Sequence, residues 1–179
     1  LTHGVIDSEA ALAYQGQSGA LNESLCDVFG VLVKQYALGQ DAHEADWLVG
    51  QGLFLPQVRA RALRSMAEPG SAYDDPLLGK DPQPAHMSGY VDTPHDNGGV
   101  HINSGIPNRA FHLAATALKG PAWEVAGRIW YDTLCDKRLR HDADFAAFAR
   151  LTLGVARNSH GDAAHKAVAG AWAAVGIPS

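Results

Sequence analysis

The sequence predicts a mainly α-helical fold, in which a long irregular segment separates the first long helix from a bundle of C-terminal helices. Apolar residues recur every three or four positions over residues 18–36, and the same period returns after residue 103 and continues to the end. Between these parts, residues 39–102 hold six of the nine prolines. With 179 residues, the chain is long enough for one domain with its own core. We therefore divide residues 1–179 into parts 1–38, 39–102 and 103–179.

The first long helix, predicted over 18–36, has an apolar face made of Leu21, Leu25, Val28, Leu32 and Tyr36. These residues follow the period of a helix that packs on one side. We expect this face to pack on the downstream helices.

A polar stripe lies opposite, because Glu23, Asp27, Gly30 and Lys34 fall within roughly 60° at about 100° per residue. Such a stripe is most often solvated, and we expect Glu23 and Asp27 to be exposed. Two features favour a neighbour instead. Glycine costs about 1 kcal/mol relative to alanine inside an exposed helix, and two acidic residues four positions apart repel unless a positive group lies nearby.

The middle part, residues 39–102, has little periodicity, and irregular segments of this length are more often functional than idle. It ends in "DNGGVHINSG", residues 96–105. This stretch fits either an ordinary glycine-containing entry to a helix or an Asp96 that orients a catalytic His101.

The helical period then predicts four C-terminal helices. They run from Asn103 or Ser104 to about Leu118, from Pro121 to Leu134, from Asp142 past Val155, and from Gly161 or Asp162 to Val175.

Composition excludes some classes of partner. The net charge is −5 and the longest basic cluster is "KRLR" at 137–140, which argues against nucleic acid. No apolar run approaches the roughly 20 residues that span a bilayer, so we expect no membrane insertion. No signal peptide precedes Leu1, but the chain does not begin with Met, so this says little about its compartment. Cys26 and Cys135 could pair or stay free.

Four motifs occur in a fixed order: "LTH" at 1–3, "NESLCD" at 22–27, "LRSM" at 63–66 and "DNGGVHINSG". Together they resemble the thermolysin family of zinc metallopeptidases. "LTH" matches the end of its His-Glu-x-x-His motif and "NESLCD" matches its Asn-Glu-x-x-x-Asp motif. The likeness runs from Leu1 to the C-terminus and covers the family's helical C-terminal lobe, so the first His and the Glu of the zinc motif would precede Leu1.

The resemblance implies one catalytic Zn²⁺, with His3 and Glu23 as two of its three protein ligands. An imidazole and a carboxylate suit zinc, and a catalytic site leaves its fourth position open. Asp27 and Asn22 would hold the far ring nitrogens of the zinc histidines, Asp27 that of the first His and Asn22 that of His3.

The resemblance also assigns Tyr14 and His101 as donors to the oxyanion that forms at the substrate carbonyl. Asp96 would orient and charge His101, which favours the catalytic interpretation of the 96–105 stretch.

The resemblance further implies that Arg64 binds the substrate carbonyl, and that Leu63 and Leu53 line an apolar pocket for the residue after the scissile bond.

One departure from the family concerns a double calcium site that thermolysin builds from several carboxylates. The aligned residues here are Lys34, Asp46, Leu48 and Gln51, of which only Asp46 is acidic. A lysine cannot ligate calcium, so we expect the double site to be absent. The remaining histidines, His43, His86, His112, His141, His160 and His165, are expected at the surface.

The resemblance implies the C-terminal domain of a secreted-type zinc metalloendopeptidase that cleaves before bulky apolar residues. Its partners would be a peptide or protein substrate and the missing N-terminal lobe, and the isolated chain would be inactive. The alternative is a non-catalytic helical interaction or structural domain with an incomplete metal site. A third possibility, an unrelated helical binding module, requires all four motif matches to be accidental.

Overall fold

A computed structural model describes residues 1–178 and confirms the mainly helical fold. The described residues form six α-helices: α1 (Thr2–Glu9), α2 (Gly16–Leu38), α3 (Asp96–Asn103), α4 (Gly105–Leu118), α5 (Ala126–Leu134) and α6 (Phe145–Ala174). Between α2 and α3 the chain is irregular, as expected.

Two small antiparallel sheets and one turn of 3-10 helix (Met87–Gly89) order this irregular segment. Strand β1 (Leu48–Val49) pairs with β2 (Arg64–Ser65), and β3 (Asp74–Asp75) pairs with β4 (Gly79–Lys80). The first pair lies against α2 and thereby fixes the position of the segment that carries Arg64.

Helix α2 packs through the predicted apolar face, since Leu21, Leu25, Val28 and Leu32 are all buried. Tyr36 is the exception, because its side chain is 69% exposed one turn beyond Leu32. The helix ends at Leu38, where Gly39 adopts a left-handed conformation with φ of 64°.

Aromatic side chains tie the C-terminal helices together. Trp130 of α5 stacks on Trp172 of α6 with their ring centroids 6.0 Å apart, and Phe111 of α4 meets Trp130 edge to face at 5.1 Å. All three are at most 1% exposed. Aromatic rings supply much of the apolar area that a core of this size buries.

Several predicted helix boundaries differ from those in the structure. Helix α5 begins at Ala126 instead of Pro121, because residues 121–125 form tight turns with hydrogen bonds such as Glu124 N to Pro121 O at 3.1 Å. Regular right-handed helix begins at Val100 instead of 103, since φ is positive only over 96–99.

Element α6 contains the last two predicted helices, separated by a kink at Gly161. It is capped by the Asp144 side chain, which accepts from Ala147 N at 2.7 Å, instead of by Asp142. Gly161, with φ of 82°, interrupts its regular geometry where the second helix was expected to begin.

His112 does not lie at the surface, contrary to expectation. Its ring is half-buried and meets the Trp47 ring edge to face at 5.0 Å. Burial, with a smaller contribution from Arg109, lowers the pKa of His112 to about 4.

Cys26 and Cys135 are not bonded to each other in the described chain, and both are half-buried. Burial raises the pKa of the Cys26 thiol to about 12, so this thiol is protonated at neutral pH. Among residues 1–178, no helix combines the length and apolar character that crossing a bilayer requires.

Candidate metal and active site

Glu23 and Asp27 are buried, so the expectation that they would be exposed is wrong. Their exposed fractions are 7% and 4%. Periodicity located their face of α2 correctly, but the irregular segment and α4 supply side chains that cover it. The positive group that the two acidic residues were expected to need is Arg64.

The Glu23 carboxylate is the centre of a cluster drawn from three parts of the chain. His3 Nε2 lies 3.5 Å from its Oε1 atom, and His101 Nε2 lies 3.5 Å from its Oε2 atom. The Tyr14 hydroxyl donates to Oε1. Three of the predicted site residues, His3, Tyr14 and His101, thus lie around the carboxylate of the fourth, Glu23.

His3 is held in one orientation by the first turns of α2. Its Nδ1 atom is 2.8 Å from Asn22 Oδ1, while Asn22 Nδ2 donates to Leu12 O at 3.4 Å. The Nδ1–H tautomer therefore leaves Nε2, the atom facing Glu23, with a free lone pair. This is the arrangement in which an imidazole binds a metal.

The donor set of His3 and Glu23 fits zinc, as one neutral imidazole and one carboxylate oriented toward a common space. Within residues 1–178, no group of three or more His, Cys, Asp or Glu side chains is arranged to hold a metal ion. A complete site with three protein ligands needs a donor from outside the described residues.

The start of α3 explains why the sequence places "DNGG" before His101. Asp96, Asn97, Gly98 and Gly99 all have positive φ, at 53°, 48°, 83° and 73°, so the chain makes a left-handed turn. Glycine tolerates this conformation without steric penalty.

The left-handed turn directs Asp96 back toward His101. Its carboxylate accepts from the His101 backbone N–H at 2.9 Å and contacts His101 Nδ1 at 2.6 Å. This leaves His101 Nε2 facing Tyr14 and Glu23. Of the two interpretations of residues 96–105, the structure gives Asp96 the orienting contact that the catalytic one requires.

Tyr14 lies in the turn before α2, and its hydroxyl is 3.2 Å from His101 Nε2. Burial, together with the hydrogen bond to Glu23, raises the pKa of the Tyr14 hydroxyl. Tyr14 therefore keeps its proton at neutral pH and can act as a hydrogen-bond donor.

Asp27 and Arg64 form a two-point ion pair, with Arg64 Nε and Nη2 each 2.7 Å from a carboxylate oxygen. Asn108 of α4 adds a third bond, donating to Asp27 Oδ2 at 2.9 Å. Although burial opposes its charge, the bond to Asp27 raises the pKa of Arg64. Asp27 was expected to hold a histidine that precedes Leu1; in residues 1–178 its partners are Arg64 and Asn108.

Leu53 and Leu63 lie next to Gly50, in the chain segment that leads to Arg64. A Cβ atom at Gly50 would fall 2.7 Å from Leu53 Cδ1 and 3.1 Å from Leu63 Cβ, so the two leucines approach the same glycine. Leu53 is 69% exposed and Leu63 38%, which leaves apolar surface open next to Arg64.

The Lys34 ammonium lies among the oxygens at the positions aligned with the calcium site. Its Nζ atom is 2.8 Å from each Asp46 carboxylate oxygen and 3.2 Å from Gln51 Oε1. Leu48 is 5% exposed and directs an apolar side chain into the protein. The positive charge among these oxygens is thus supplied by the chain itself.

Sequence reasoning missed two side chains that support the site. Asn108 binds Asp27, and Gln83, 5% exposed, donates to His101 O at 2.7 Å and to Ser104 Oγ at 3.0 Å. Both are polar residues in buried positions, and spacing alone does not reveal which polar residues are buried.

Residues 10–177 match a protein family described as "Thermolysin metallopeptidase, alpha-helical domain". An extracellular metalloprotease of Pectobacterium carotovorum subsp. carotovorum is 59% identical over 177 residues, which is 99% of this chain and 51% of that protein. A thermolysin of Alicyclobacillus acidocaldarius subsp. acidocaldarius is 38% identical over 141 residues, which is 75% of this chain and 23% of that protein.

A solved structure of a precursor of protealysin, a metalloproteinase from Serratia proteamaculans, superimposes with a TM-score of 0.97 at 62% sequence identity. The match covers 98% of this chain and 54% of that one. The chain thus spans about half the length of the Pectobacterium and Serratia proteins. With its helical fold, its motif order and these similarities, the chain belongs to the thermolysin metallopeptidase family and forms that family's α-helical domain.

Proposed function

We propose that this chain is the C-terminal half of a secreted zinc metalloendopeptidase that hydrolyses peptide bonds before bulky apolar residues. The observation that carries the proposal is the convergence of His3, Tyr14 and His101 on the buried carboxylate of Glu23. Burying a carboxylate is unfavourable unless polar partners compensate, and the Tyr14 hydroxyl and two imidazoles at 3.5 Å are gathered around this one.

His3 and Glu23 would hold the zinc ion, and Asn22 would keep His3 in the ligating tautomer. When bound, zinc supplies Lewis acidity, which polarises a carbonyl and acidifies water. A third ligand and the general base would come from the part of the longer protein that precedes Leu1, as the family motif implies.

Tyr14 and His101 would donate hydrogen bonds to the carbonyl oxygen of the substrate as negative charge develops there. His101 Nδ1 lies against the Asp96 carboxylate, and Nε2 lies beside the Tyr14 hydroxyl. The two donors come from different elements, so the fold determines their separation.

Arg64, fixed by Asp27, would bind a substrate carbonyl through Nη1, the guanidinium nitrogen that the ion pair does not use. Leu53 and Leu63 would receive the side chain that follows the scissile bond. Their open apolar surface favours leucine or phenylalanine there, because each buried methylene contributes about 0.8 kcal/mol.

The proposal of a secreted enzyme rests on relatives named as extracellular proteases, among them those of Pectobacterium carotovorum and Staphylococcus epidermidis. The N-terminal half of the longer protein would be the obligatory partner. Alone, the chain would be inactive, since it holds two of three zinc ligands and no residue that matches the general base.

The experiment compares residues 1–179 with the longer protein on peptides that carry Leu, Phe or Gly after the scissile bond, in excess zinc. The longer protein should cleave the Leu and Phe peptides and lose zinc and turnover in Glu23→Gln. The exposed Glu124→Gln serves as control and should keep both. The isolated chain should be inactive.

Two results would overturn the proposal. Full turnover by the isolated chain would show that other residues carry the chemistry. A longer protein that binds zinc but cleaves nothing would instead favour the alternative, a helical interaction domain whose metal site is structural.

A further inference from the structure

The start of α2 and the start of α3 approach each other closely at glycines. A Cβ atom on Gly98 would fall 3.0 Å from both Cα and N of Gly16. One on Gly19 would fall 2.5 Å from Val100 Cγ1 and 3.0 Å from the carbonyl carbon of Tyr14. Real Cβ atoms essentially never lie 2.5 Å from another heavy atom, so Gly19 accepts no side chain without movement, whereas the contact at Gly98 would be unusually tight.

These contacts lie directly beside two site residues. Val100, fully buried, immediately precedes His101, and the backbone of Tyr14 itself touches the Gly19 position. Gly19 lies inside a regular helix, where alanine is otherwise preferred by about 1 kcal/mol. A glycine at this position is thus unfavourable for the helix, which points to a requirement for close approach.

We propose that Gly19 is a positioning residue, which sets the 3.2 Å separation between the Tyr14 hydroxyl and His101 Nε2. A methyl group there pushes Val100 away from α2 and takes His101 with it, while Tyr14 stays on the α2 side. The two donors then no longer point at one oxygen. This inference rests on the proposed function, and it names Gly19 as the residue that keeps the two donors close enough to bind one oxygen.

The test is Gly19→Ala in the longer protein. We expect kcat to fall at least 10-fold, with KM within twofold and zinc content unchanged, because the atoms nearest to the new Cβ belong to Val100 and Tyr14 and not to His3 or Glu23. The matched control is Gly154→Ala in α6, a helical glycine whose added Cβ would meet no atom within 4 Å. It should leave kcat and KM unchanged.

A second variant separates positioning from loss of structure. Gly19→Ala combined with Val100→Ala removes the methyl group that the new Cβ strikes, and it should recover at least a third of the lost kcat. General destabilisation predicts the opposite, because Val100→Ala alone opens a cavity. The proposal fails if the double variant is slower than Gly19→Ala.

A structural measurement keeps the inference distinct from the proposed function. Crystal structures of Gly19→Ala and the parent should show the Tyr14 to His101 separation longer by more than 0.5 Å in the variant. An unchanged separation, or an unchanged kcat, overturns the inference. If the separation is longer in Gly19→Ala but the parent protein has no peptidase activity, the proposed function is overturned and the positioning role of Gly19 stands.

Discussion

The Tyr14 hydroxyl lies 3.2 Å from His101 Nε2, although 87 residues separate the two in sequence. Because two donors at this separation can reach one oxygen, removing one should weaken stabilisation of the transition state. We expect His101→Ala in the longer protein to lower kcat by about 100-fold or more, with little change in KM. His160→Ala, on α6, is the control. Equal kcat values for His101→Ala and the parent would instead support the interpretation of residues 96–105 as an ordinary glycine-containing helix entry.

Under the proposed function Asp96 would act on the same step through His101, so its substitution should be milder. Asp96→Asn keeps an oxygen that can accept from the His101 backbone N–H and removes the negative charge beside Nδ1. We expect a fall in kcat of about 10-fold, smaller than for His101→Ala because the imidazole remains. A steady-state comparison of the two variants tests the order, and a larger loss in Asp96→Asn contradicts it.

The Asp27–Arg64 pair should matter more to stability than its surface counterparts, because the Asp27 side chain is 5% exposed and that of Arg64 19%. Arg64→Met leaves a buried carboxylate with only Asn108 as partner, and we expect a loss of about 3 kcal/mol. Asp27→Asn in the same chain should restore part of it. Urea unfolding of both single variants and the double variant gives the coupling, and additive losses would mean that the pair is not coupled.

Lys34 should make the loop around Asp46 independent of calcium. Its ammonium already contacts three side-chain oxygens, and two acceptor residues are too few for a tight calcium site. We expect no submicromolar calcium binding that depends on Asp46, and Lys34→Met should cost about 1 kcal/mol or less, since the pair is about one-third exposed. Calorimetry that finds such a site, lost in Asp46→Ala, would contradict this.

His112 should make the protein sensitive to acid. Its pKa is about 4 in the folded chain, below the ordinary histidine value of 6.5, so the unfolded chain binds a proton first as the pH falls. The neutral ring makes its full contribution to the free energy of unfolding above about pH 6.5. This contribution is lost as the pH falls from 6.5 to about 4. We expect a loss on the order of 2 kcal/mol over this range. His112→Phe should reduce the loss measured by urea unfolding, whereas the exposed His141→Phe should not.

Helices and their apolar faces could be predicted because they depend on local spacing. The period of Leu21, Leu25 and Val28 identifies the buried face of α2 without knowledge of what covers it. Four short motifs in order likewise suffice to indicate the family, since each motif is contiguous in the chain.

Burial of the polar stripe could not be predicted, because it depends on contacts made by distant residues. Asp27 is buried by Arg64 and Asn108, which are 37 and 81 residues away. Helical periodicity describes which residues share a face and says nothing of whether a loop later covers that face. His112 was misjudged for the same reason, since Trp47 covers it.

The helical fold, the family and the residue types of the candidate site follow from the sequence alone, because propensity, period and motif depend on residues that are close in the chain. Which of those residues contact one another depends on tertiary packing. The 3.2 Å contact of Tyr14 with His101 and the 2.7 Å contacts of Arg64 with Asp27 depend on how α2 packs against α3 and β2. That packing depends on side-chain volume, including the absence of a methyl group at Gly19. Side-chain volumes limit packing only between residues that the fold brings into contact, and these can be far apart in sequence.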